Sequence, residues 1–201
     1  MEYSAIGKPL RGNMKDEGSF RTFLSAPLEA VVSRTLLGVT YWLLNSDEPS
    51  FHIDRPNESG ISGMSLSFEG LTVEISSFYD KILRTRDNYF YIQALLVSGE
   101  KEEGELATAE VLCNIPADQA TIWCDALNTP LVRAEIYGDS DTPQVFRLSF
   151  PSTVLIISLG YSGEKLFIGD GNDLLVFSEA QWQSSIHLVN APLSKIWECA
   201  T

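Results

Sequence analysis

A chain of 201 residues that is 44% hydrophobic and 20% charged can close a core of its own, which excludes a disordered chain and a small disulfide- or metal-stapled scaffold. Its 27 acidic residues outnumber 14 basic ones and leave a formal charge of -13, a field that repels phosphate backbones and speaks against nucleic-acid binding. No stretch approaches the ~18 consecutive apolar residues of a membrane helix, and three irregularly spaced cysteines suit a reducing compartment, so a cytoplasmic protein is expected.

Residues 1–20 have no apolar run of signal-peptide length and read as an irregular arm. A single domain is expected over residues 21–201, with a weak boundary near 114–118. Ser25 and Pro27 can open a helix, because one accepts a first-turn amide and the other lacks an N–H that would go unpaired. Leu28, Val31, Val32, Thr35 and Leu36 then form one helical stripe, which predicts a helix to about Leu37 and a strand over Val39–Leu44. A continuous strand through Val31–Leu44 is the rival reading.

A hairpin is predicted over Gly63–Ser77. Met64, Leu66 and Phe68 alternate with serines, Glu69-Gly70 supplies a two-residue turn, and Leu71, Val73 and Ile75 alternate with polar residues. That turn sets Phe68 opposite Leu71, Leu66 opposite Val73 and Met64 opposite Ile75, all on one face. A second hairpin is expected to join Tyr89–Val97 to Leu106–Cys113 through an exposed acidic loop. Pro116 is expected to open a helix to about Leu127, with Ala120, Trp123, Cys124 and Leu127 buried.

Strands follow near Leu131–Tyr137, Gln144–Phe150, Thr153–Leu159, Lys165–Ile168 and Leu174–Phe177. The third is apolar on both alternating sets, so it should be covered on both faces. Ser178 and Gln181 have capping-box spacing before a helix, and Asn190 and Pro192 suggest a last helix carrying Leu193, Ile196 and Trp197. The fold class is therefore α+β: mainly antiparallel sheet in hairpins, with a few short helices packed on one face.

Motifs that could carry chemistry are short. Gly169-Asp170-Gly171-Asn172-Asp173 and Gly138-Asp139-Ser140-Asp141-Thr142 resemble the magnesium and nucleophile motifs of haloacid-dehalogenase-type phosphatases. The interval between them reads as three strands with short turns, where that family needs strand–helix crossovers, so both segments read as hairpin turns. Gly160-Tyr161-Ser162-Gly163-Glu164 lacks the second glycine of a nucleophile elbow and has strands on both sides. The histidines, His52 and His187, have no nucleophile placed beside them by sequence, and Cys113, Cys124 and Cys199 have no zinc-ligand spacing. The acidic turns do not have the spacing of a calcium loop. No metal and no cofactor is expected. Lys81, Arg84 and Arg86, near Tyr79, Tyr89 and Tyr91, form the one modest basic cluster, and Asp80 and Asp87 interrupt it.

Charge distribution is the strongest functional signal. Residues 1–87 carry 9 basic and 12 acidic side chains, whereas residues 88–201 carry 5 basic and 15 acidic. In general character the chain resembles bacterial immunity proteins and secretion chaperones, which are small, acidic and cytosolic. That resemblance implies a binding protein that neutralises a basic protein partner by charge complementarity. The expected contact residues are Glu100, Glu102, Glu103 and Glu105 in the acidic loop, with Asp139, Asp141, Asp170 and Asp173 in the later turns. The alternatives are a structural or oligomeric module, such as a homodimer through a sheet edge or apolar face, and a hydrolase using two carboxylates.

Overall fold

Glu69 and Gly70 turn the chain back on itself, and Gly70 takes the left-handed φ of 75° that a two-residue hairpin demands. The strands on either side, β2 (Gly63–Phe68) and β3 (Leu71–Tyr79), pair Phe68 with Leu71, Leu66 with Val73 and Met64 with Ile75. The predicted register therefore holds at each of these pairs. Met64, Leu66, Phe68, Val73 and Ile75 are buried, while Ser65, Ser67, Thr72 and Glu74 on the opposite face are half-exposed. The computed structural model describes residues 25–44, 52–54, 56, 60–79, 90–97, 112–139, 142–162, 166–168, 173–189 and 193–201.

This hairpin lies within a five-stranded antiparallel sheet that also contains β1 (Leu36–Leu44), β4 (Phe90–Val97) and β5 (Leu112–Pro116), in the order β4-β3-β2-β1-β5. A second antiparallel sheet contains β6 (Arg133–Asp139), β7 (Thr142–Ser149), β8 (Val154–Ser162), β9 (Leu166–Ile168), β10 (Asp173–Ser178) and β11 (Ser194–Ala200). Its order is β10-β8-β7-β6-β11, with the short β9 added to β8. Apart from β9, the two sheets share one plan. Four strands run as a meander, and a fifth returns to lie beside the first.

Inner faces of both sheets meet in one core. Val39, Tyr41, Leu66 and Ile75 from the first pack in the same cluster as Ile136, Phe146, Ile157 and Val176 from the second. Short helices complete the described fold, among them α1 (residues 25–31), which adds Leu28 and Val31 to this core, and α2 (Glu179–Ser185). At Ile61 and Leu174 the sheets also share two backbone hydrogen bonds, of 2.9 and 2.7 Å. As the sequence predicts for its both-sided apolar run, β8 is covered twice. Leu155, Ile157 and Leu159 face the main core, and Ile156 faces a second cluster with Val145, Leu175, Phe177 and Trp182 beneath α2.

Three expectations need correction. Helix α1 ends at residue 31 rather than about Leu37. Ser33 adopts a φ of 74°, and its N–H donates to the Leu131 carbonyl at 2.8 Å. Arg34 donates to the carbonyls of Ala30 and Glu69, and four residues separate the end of the helix from the start of β1. Of the hairpin expected between Tyr89–Val97 and Leu106–Cys113, residues 98–111 lie outside the described residues, while β4 pairs with β3 and β5, which starts at Leu112, pairs with β1.

After Pro116 the chain forms successive tight turns around a 3-10 helix at Thr121–Trp123, not an α-helix. Ala117, Ala120, Trp123 and Ala126 are the buried positions, a period of three that matches hydrogen bonds to the third preceding residue. Cys124 is off that stripe and exposed. Finally, the last segment is a strand. β11 pairs with β6, and Ile196 and Trp197 both pack against the main core across an irregularity in the ladder.

Candidate functional site

On the outer face of the second sheet, strand alternation sets Glu135 and Tyr137 outward while Ala134 and Ile136 enter the core. Arg147 is the cross-strand partner of Glu135 on one side, and Glu198 is its partner on the other. Two carboxylates side by side would repel, and Lys195 resolves this by reaching both, at 3.2 Å from Glu135 Oε1 and 2.5 Å from Glu198 Oε2. Arg147 lies 2.7 Å from Glu135 Oε2 and 3.2 Å from Glu179 in the first turn of α2. Arg133 completes the line, 3.4 Å from Glu198.

Three acids and three cations thus alternate across β11, β6, β7 and α2. The capping box predicted from Ser178 and Gln181 forms, with the Ser178 hydroxyl accepting from the Gln181 N–H and the Gln181 side chain accepting from the Ser178 N–H. It starts α2 at Glu179. Gln183 donates to the other Glu179 oxygen at 3.0 Å.

Glu135 is only 2% exposed. Burial pushes its carboxyl up, but hydrogen bonds from Arg147, Lys195 and Tyr137 outweigh it and hold the group below its ordinary range. Burial and the Glu135 charge together raise the Tyr137 phenol, which donates to Glu135 Oε1 at 3.1 Å. The Glu198 and Glu135 carboxylates raise Lys195. Glu135 is therefore ionised at neutral pH with both oxygens occupied, which leaves it no proton to donate and little capacity to accept one. This chain of charges fastens elements together and cancels its own field.

The cancellation matters for the acidic excess. Of the five basic residues in 88–201, Arg133, Arg147 and Lys195 are spent on Glu135, Glu179 and Glu198. The other two, Lys101 and Lys165, stand against twelve further acids in that half of the chain.

Of the expected contact residues, Asp139 closes β6 and Asp173 opens β10. Both lie at one end of the second sheet, because β6 and β8 finish where β7 and β10 begin. Glu100, Glu102, Glu103, Glu105, Asp141 and Asp170 lie outside the described residues, as do Lys81, Arg84 and Arg86. Sequence reasoning missed Glu135, Arg147, Lys195 and Glu179. Alternation in Ala134–Tyr137 and Phe146–Leu148 signals that Glu135 and Arg147 face outward, but not that they meet.

The described residues of the glycine-rich motifs lie at strand ends. Gly138–Thr142 runs from β6 into β7, and Asp139 is paired with Thr142. Gly160–Ser162 end β8 and pair with β9, where a nucleophile elbow would need a helix. Residues 169–172, between β9 and β10, lie outside the described residues. Among the described residues no three His, Cys, Asp or Glu side chains converge as a metal site. An open depression of about 460 Å³, at the β7–β8 turn beside α2, is lined by Phe150–Val154 and Ser178–Ala180. Its one carboxylate, Glu179, is held by Arg147. No helix among the described residues is long and apolar enough to cross a membrane. Comparison with protein-family models, with curated proteins and with solved structures returned no match for this chain.

Proposed function

We propose that this protein is an acidic, cytoplasmic binding protein that neutralises a basic protein partner by charge complementarity, in the manner of an immunity protein or a secretion chaperone. One observation carries the reading. The second half of the chain holds 15 acids and 5 bases, and three of those bases are held in ion pairs with Glu135, Glu179 and Glu198, which leaves Lys101 and Lys165 against twelve further acids of that half. Such a field raises the encounter rate with Lys- and Arg-rich surfaces and disfavours acidic ones. The contact surface is the acidic segment with Glu100, Glu102, Glu103 and Glu105, together with Asp139, Asp141, Asp170 and Asp173.

Affinity capture from native lysate tests this at two salt concentrations, about 50 mM and about 500 mM, which span weak to strong screening. A basic partner should bind at low salt and release at high salt. The variant Asp139→Lys with Asp173→Lys should weaken capture. A partner held equally at both salts, or one that is itself acidic, would sink the proposal.

A further inference from the structure

We draw no further inference here: the strongest candidate, the acidic end of the second sheet where Asp139 closes β6 and Asp173 opens β10, belongs to the surface already proposed and has no second, independent observation that names a ligand.

Discussion

Glu135 is the residue on which the outer face of the second sheet turns. Its carboxylate receives Arg147, Lys195 and Tyr137, so replacing it with Gln leaves two cations without their shared counter-charge. Glu135→Gln should cost about 1–3 kcal/mol, less than a fully buried pair because Arg147 and Lys195 keep some contact with water. The pH dependence follows from the depressed carboxyl. Its stabilisation is fully present above the unfolded value near 4.5 and is lost as pH falls through the lower folded value. Urea midpoints measured from neutral pH down through that range should drop in the native chain and drop less in the Gln variant. Equal slopes would remove Glu135 from the acid response.

Tyr41 and Trp123 make the second residue-level case. Both are fully buried, and the indole N–H donates to the Tyr41 hydroxyl at 2.5 Å. Burial and the nearby Asp54 charge push the phenol far up, against the smaller opposing effect of Trp123, so it stays protonated. Tyr41→Phe strands a buried donor and should cost about 1–3 kcal/mol. In a Trp123→Phe background the same change should cost less than it does in the native chain, because the indole donor is already gone. Additive costs in denaturant titrations would show that this hydrogen bond does not couple the two residues. Neither the Glu135 cluster nor this pair was legible in the chain. Glu135 and Lys195 are 60 residues apart, and Tyr41 and Trp123 are 82 apart.

Elements were legible where local periodicity and turn chemistry agreed. In the β2–β3 hairpin, alternation and Glu69-Gly70 specify the same register, so no tertiary information is needed. The capping box at Ser178 is equally local. Reading failed where a stripe fits two periods. Ala120, Trp123 and Leu127 fit an α-helix, yet the chain buries Ala117, Ala120, Trp123 and Ala126 at steps of three. Asp54 lies far upstream in sequence and caps that 3-10 turn by accepting from the Thr121 N–H and hydroxyl. At the C-terminal end, Leu193, Ile196 and Trp197 mimic a helical face. Pairing with β6 wins there, and a ladder irregularity lets adjacent Ile196 and Trp197 both reach the core.

Gly63 tests how tightly the first sheet is assembled. A Cβ there would lie 2.5 Å from Trp42 Cε3 and 3.1 Å from the Ile75 carbonyl. Trp42 is itself 8% exposed, so its ring has little room to withdraw. Gly63→Ala should cost about 1–3 kcal/mol in thermal unfolding and shift the tryptophan emission. An unchanged melting temperature would mean that the ring moves freely.

At the scale of the molecule, two sheets with one strand plan are joined through a common core. The first half closes as β4-β3-β2-β1-β5 and the second as β10-β8-β7-β6-β11, although the sequence shows no repeat. Side chains on the two outer faces differ in character, in keeping with that absence of a repeat. Ser65, Ser67, Thr72 and Glu74 face outward on the first, whereas Val145, Ile156, Leu175 and Phe177 on the second are apolar and covered by α2. Because core residues from both sheets interlock, the halves should unfold together. Single-tryptophan variants that retain Trp42 in the first sheet or Trp197 in the second should report one denaturant midpoint. Separated midpoints would reveal two independently folding units.

The irregularity in β11 has an effect beyond the molecule. A last strand with a straight, bare margin invites a neighbouring copy to add its own strand, and then another. Here the irregularity between Lys195 and Trp197 breaks the even spacing that such stacking needs. The fold thereby guards its terminal border against runaway sheet growth.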